Sequence, residues 1–169
     1  IKVVESLNVN RVIFLPDQYL ANYVASNTKV KIISWKGTCI VHEKFTAKEV
    51  EEVRAANPGI KVIAHPECPP DVINASDFAG STSGMVDYVS KNKPKKVMLV
   101  TECSMSDNVQ ADNPNVEFIK PCNLCPYMKK ITLQKILDCL ENESNEIFIE
   151  EKMAKAARQS VQRMAEIGR

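Results

Sequence analysis

A chain of 169 residues, 44% hydrophobic and 25% charged, has the composition of a compact globular protein, enough for one domain or two small ones. A net charge of +1, with the densest basic run confined to Lys91-Asn-Lys-Pro-Lys-Lys96, argues against the concentrated Lys/Arg face of a nucleic-acid surface. There is no apolar run of about 18 residues, no signal-peptide pattern and no lipidation motif, so the expectation is a cytoplasmic enzyme or binding domain without a membrane span.

Ile1, Val3, Val4 and Leu7 have helical spacing with no capping residue ahead of them, the pattern of a helix that begins upstream of this sequence. Residues 11–15 predict a strand closed by Pro16-Asp17, and residues 18–25 a helix. Residues 30–34 predict a second strand that runs into Trp35-Lys-Gly-Thr-Cys-Ile-Val-His-Glu43. Thr46 with Glu49 three residues on is a capping box for a helix over 47–56, and Asn57-Pro-Gly59 turns the chain into a strand over 60–64. A short helix over 69–75, a brief strand over 77–79, a helix over 83–91 and a strand over 96–100 follow.

Residues 116–119 predict a further strand, residues 127–140 a helix with Cys139 on its core face, and residues 146–149 a last strand. Residues 150–167 read as a long amphipathic helix whose Met153, Ala157, Val161 and Met164 face is expected to lie in the core. The alternation of short apolar runs with helical segments predicts an α/β architecture with parallel sheets.

The strand over 60–64 stops at His65-Pro-Glu67, and ligands of open α/β sheets are met where strands release their chains. His65 and Glu67 are therefore candidates for proton transfer and substrate binding. Gly80-Ser-Thr-Ser-Gly84 precedes a helix, so Ser81 and Thr82 can cap it while its free N–H groups face an anion. Six cysteines exceed what a reduced interior collects by chance. Cys39 follows a strand in a glycine-containing loop, and Cys125 opens a helical segment, positions suited to ligands. Cys122 and Cys125 form C-x-x-C, which fits a redox disulfide, a zinc half-site or part of an iron-sulfur site. Cys39 and His42 form C-x-x-H, so a Cys3His zinc staple with Cys122 and Cys125 is one alternative, and a small-anion-binding domain built on residues 80–84 is another. Cys103 follows a strand and carries no partner signal.

Pro16-Asp-Gln-Tyr-Leu-Ala-Asn-Tyr-Val24, Trp35 to Glu43, His65-Pro-Glu67, Asp77-Phe-Ala-Gly-Ser-Thr-Ser83 and Cys125-Pro-Tyr-Met-Lys129 occur in the order and approximate spacing of quinolinate synthase. The chain resembles roughly the C-terminal half of that family, and the resemblance runs from end to end. It implies related three-layer αβα domains around a central 4Fe-4S cluster: residues 1–42 as the remainder of a second domain, 43–124 as a third, and 125–169 returning to the first. It implies Cys39 and Cys125 as two of three cluster ligands, with the third in an N-terminal half that this sequence lacks. One iron would stay open as a Lewis acid. The implied reaction condenses iminoaspartate with dihydroxyacetone phosphate to quinolinate for NAD biosynthesis, with Glu67 and His65 moving protons and Ser81 and Thr82 helping to hold substrate. L-aspartate oxidase is the implied source of iminoaspartate.

Overall fold

A computed structural model describes residues 1–168 as an α/β chain with two parallel sheets. Helix α1 (Lys2–Ser6) leads to β1 (Arg11–Phe14), α2 (Gln18–Ala25) and β2 (Lys31–Ser34), and β1 pairs with β2. After a 3-10 turn at His42–Lys44 come α3 (Ala47–Ala56), β3 (Lys61–Ala64), α4 (Pro70–Asn74), β4 (Phe78–Ala79), α5 (Thr82–Asn92), β5 (Lys96–Val100), α6 (Cys103–Asp112) and β6 (Glu117–Ile119). These strands form a second sheet in the order β4-β3-β5-β6. A 3-10 turn at Met128–Lys130 and helices α7 (Leu133–Asn142) and α8 (Glu151–Gly168) complete the chain.

The four-stranded sheet is covered on both faces, and the alternation of side chains along its strands explains how. Val62, Ala64, Met98 and Val100 pack with Val50 of α3 and Val72 of α4. Their neighbours Ile63, Val97 and Leu99 point the other way, onto Met85 and Val89 of α5 and Val109 of α6. Val41 and Phe45, from the loop after β2, join the first of these clusters, so the chain leaving the small sheet is built into the core of the large one.

Asp77 pins α3 to the sheet. Its carboxylate accepts from Arg54 Nη2 at 2.6 Å, Lys61 Nζ at 2.9 Å and the Val62 N–H at 2.9 Å. Burial by itself would raise its pKa, but the Val62 N–H, Lys61 and Arg54 outweigh that and hold it below the ordinary carboxylate value. A depressed folded pKa contributes stability that is present above the unfolded value and disappears as pH falls through the folded one. Asp77→Ala is expected to cost about 1.5–3 kcal/mol at neutral pH, the scale of hydrogen bonds to charged groups. In urea unfolding, the gap to the parent chain should narrow on acidification below the carboxylate range; a gap independent of pH would refute the charged role.

Four expectations are corrected. Residues 103–112 form α6, unforeseen because its Cys-Ser-Met-Ser-Asp-Asn-Val-Gln-Ala-Asp sequence has little apolar periodicity; Glu102 caps it by accepting from the Ser104 N–H at 2.8 Å. The helix expected over 127–140 is broken at Ile131-Thr132, because Thr132 caps a new start by accepting from the Lys135 N–H. Residues 146–149 are not a strand, since no other strand lies beside them; Ile147 and Phe148 are 84% and 91% exposed. The Met153, Val161 and Met164 face of α8 is exposed and Cys139 is only half-buried, so these faces are apolar without being core here. Helix α8 lies against α1.

Candidate active site

Parallel pairing puts the carboxyl ends of neighbouring strands side by side, and the chemistry-bearing residues leave from those ends. His65 and Glu67 follow β3, Thr101 follows β5, and Cys39 and His42 follow β2. The His65 N–H donates to the Val100 carbonyl at 3.2 Å, which carries the register of β3 and β5 one residue past the strand.

The loop after β2 is set by Asp17, the cap of α2. One carboxylate oxygen accepts from the Leu20 N–H at 2.7 Å and the other from the Cys39 N–H at 3.0 Å. Asp17 is 4% exposed, so a buried carboxyl group spends its hydrogen bonds capping α2 and holding Cys39 in place. Gly37 allows the approach: a Cβ there would collide with the Pro16 carbonyl oxygen. The sequence flagged Asp17 only as the end of a strand, although its place before a helix is a cap signal.

His42 is buried and approaches Glu67, its Nδ1 lying 3.0 Å from Oε2 without the alignment of a hydrogen bond. Its Nε2 is 3.0 Å from the hydroxyl oxygen of buried Thr101. The His42 ring stacks on that of His65, with centroids 4.4 Å apart and planes 16° from parallel. The sequence-predicted pair, His65 and Glu67, is thus joined by His42, read from the sequence only as part of a C-x-x-H spacing, and by Thr101, the residue just past β5.

Electrostatics divides the roles. Glu67 is held below the ordinary carboxylate value, chiefly by the adjacent His42 ring nitrogen and against the opposing effect of burial, so it is ionised at neutral pH. Burial, with the neighbouring His42, pushes His65 down to about 4, so this imidazole is neutral. The Glu67 N–H donates to His65 Nδ1 at 3.3 Å, which assigns the ring proton to Nε2. One loop therefore presents a carboxylate base beside a neutral N–H donor.

Sγ of Cys39, a nitrogen of His42 and a carboxylate oxygen of Glu67 all lie within 4.8 Å of one another. Burial raises the Cys39 thiol above its usual pKa, so a bound metal would have to draw off its proton. Cys125 borders the same core cluster as Cys39. Its loop is tied to the start of α6 by a Cys103–Cys122 disulfide, by the Cys103 N–H donating to the Asn123 carbonyl at 3.3 Å, and by a bridge between Glu102 and Asn123. That disulfide supplies the partner Cys103 lacked in the sequence. It also overturns the Cys3His zinc staple, because Cys122 has no thiolate to give. Cys68 is buried, its thiol donates to the Val100 carbonyl at 3.5 Å, and burial pushes its pKa up to about 12, so it is core and not a ligand.

Ser81 caps α5 and Thr82 is its first residue, just beyond the edge strand β4, which pairs with β3 through Ala79 and Ala64. The Ser81 hydroxyl caps α5 by accepting from the Gly84 N–H at 3.2 Å. Both residues are exposed, so the helix start faces outward at the same carboxyl edge.

Residues 1–166 match the family described as Quinolinate synthetase A protein (NadA). Quinolinate synthase of Agrobacterium fabrum is 55% identical over 166 residues, covering 98% of this chain and 48% of that protein. Quinolinate synthase 1 of Mesorhizobium japonicum is 56% identical over 162 residues, 96% of this chain and 50% of that protein. Quinolinate synthase of Xylella fastidiosa strain Temecula1 is 54% identical over 166 residues, 98% and 49%. The chain spans about half the length of the relatives it matches. With more than half its residues identical to each of them across nearly its whole length, the chain belongs to the quinolinate synthetase A (NadA) family.

Proposed function

We propose that this chain supplies one half of a quinolinate synthase active site, condensing iminoaspartate with dihydroxyacetone phosphate and releasing phosphate and two waters to form quinolinate. The observation that carries the reading is the convergence of Cys39, Glu67 and His65 at one carboxyl edge. Glu67, ionised, takes a proton from carbon beside a carbonyl, and His65 in its Nε2–H form donates a hydrogen bond to the oxygen where charge develops. Ser81, Thr82 and the free N–H groups of α5 hold a substrate carboxylate or phosphate, so anion binding is local and needs no large net charge.

Cys39 and Cys125 fit an iron-sulfur group: both are half-buried thiols bordering one apolar cluster, and soft thiolates are the donors such clusters take. A 4Fe-4S cluster with one iron lacking a protein thiolate would supply Lewis acidity toward a carbonyl or departing hydroxyl. In this reading residues 1–42 close a second αβα domain, 43–124 form a third, and 125–169 return to the first. Leu133, Phe148 and Val161, exposed here, are then covered by the remaining half of the enzyme. The cytoplasm is the proposed compartment, with L-aspartate oxidase as source of iminoaspartate; among the described residues no helix is long and apolar enough to cross a membrane. A second reading is a noncatalytic module with zinc held by Cys39, His42 and Glu67, a different set from the overturned Cys3His staple, and it draws on their convergence.

The test is anaerobic reconstitution with iron and sulfide, of this chain alone and with the remaining half. This chain alone should form no stable four-iron cluster and no quinolinate, because Cys39 and Cys125 give two of three thiolates; the combined protein should do both. Four irons and turnover in the chain alone would overturn the ligand count, and zinc without acid-labile sulfide in the combined protein would favour the second reading.

A further inference from the structure

We propose that Asp17 is a positioning residue for the cluster ligand Cys39: its carboxyl group ties the ligand's peptide to the start of α2 and keeps the thiol in place for iron. The proposal rests on the reading of Cys39 as a cluster ligand. One oxygen of Asp17 accepts from the Leu20 N–H at 2.7 Å and the other from the Cys39 N–H at 3.0 Å, so one side chain serves a helix cap and a ligand loop together. A cap needs only the first bond. The second reaches 22 residues along the chain, and nothing local demands it.

The Cys39 peptide is held from both sides, because its carbonyl accepts from the Glu43 N–H at 3.0 Å. Its thiol is left as the group to be presented. The Gln18 N–H donates to the Gly37 carbonyl at 2.8 Å, and a parallel bridge between Asp17 and Gly37 carries the pairing of β1 with β2 past the strand ends. Gly37 makes this approach possible, since a Cβ there would meet the Pro16 carbonyl oxygen. Asp17 is buried while Cys39 is only partly so, which places the anchor inside and the ligand at its edge. Serine or threonine would satisfy an ordinary helix cap without burial of a carboxyl group. A partner that orients a metal ligand has to be fixed itself, and burial fixes this one.

The experiment uses the full-length enzyme, handled anaerobically. Asp17→Ser keeps a hydroxyl to cap α2 but has no second oxygen for the Cys39 N–H, and Asp17→Asn turns one acceptor into a donor facing a donor. Both should lose the cluster to an iron chelator about 10- to 100-fold faster than the parent, the usual effect of removing an orienting partner, followed as decay of the cluster absorbance. In the metal-free proteins, hydrogen exchange at the Cys39 amide should quicken by about tenfold, the scale of one lost hydrogen bond, while the unfolding midpoint of Asp17→Ser stays close to the parent's. Gly37→Ala spreads the same two segments with the carboxyl group intact, and should repeat the faster cluster loss. Parent-like cluster loss in both Asp17 variants overturns the proposal. Faster loss with unchanged exchange at the Cys39 amide also overturns it, because the effect would not pass through the tether. If the Asp17 variants do not fold, Gly37→Ala decides by the same two rates. A Cys39→Ser enzyme that keeps its cluster refutes the ligand reading and the proposal with it; a Cys39→Ser enzyme without cluster, beside Asp17 variants that match the parent, refutes the tether alone.

Discussion

Cys125→Ser in the full-length enzyme is expected to abolish the iron-sulfur cluster and with it quinolinate formation, and Cys39→Ser to do the same. A serine oxygen is a hard, weakly acidic donor in place of a soft thiolate, and the proposed assembly on three protein thiolates would have none to spare. The informative contrast lies three residues away. Cys122 is bonded to Cys103, so its sulfur has no coordinating charge, and the double variant Cys103→Ser/Cys122→Ser should keep most of its iron and sulfide. The loop would still be tied to α6 through the Cys103 backbone N–H on the Asn123 carbonyl, a bond that serine preserves. Iron and acid-labile sulfide, measured anaerobically on all four proteins, separate the roles. Equal loss in the double variant and in Cys125→Ser would refute the assignment of Cys125 over Cys122.

The elements most legible in the sequence were those whose signal is local. Thr46 and Glu49 form the capping box their spacing predicted, and the start of α3 follows from it. Strand β5 has the bounds expected of an apolar run between charged loops. Signals failed where the outcome depends on distant chain. The apolar stripe of α8 and the Ile147-Phe-Ile149 run announce that something must cover them, but periodicity cannot name the cover, and here the described residues leave them exposed. In the site, His65 and Glu67 were legible because a proline ends their strand. His42 and Thr101 were not, since a stacked ring and a buried hydroxyl 59 residues apart in sequence leave no spacing to read. The disulfide was missed for the same reason: Cys103 and Cys122 are 19 residues apart, and only the parallel pairing of β5 with β6 carries their loops to the same edge.

Glu67→Gln in the full-length enzyme should lower turnover by about a hundredfold or more, the scale of losing a general acid or base, while the cluster spectrum persists. Glutamine keeps the length and shape of the side chain, so the loop between β3 and α4 need not rearrange and Cys39 keeps its tether to Asp17. What it loses is charge. Glu67 sits beside His42 at 3.0 Å and His65 at 3.8 Å, and its carboxylate is held in its charged, proton-accepting form. An amide cannot take a proton from a carbon acid, so the loss should fall on kcat, with KM and iron content close to the parent. Glu67→Asp keeps the charge but withdraws it by one methylene, and should fall between the two if distance to the reacting carbon matters. Near-normal turnover in the glutamine variant would return Glu67 to an ordinary loop carboxylate, and a lost cluster spectrum would move it from proton transfer to the metal.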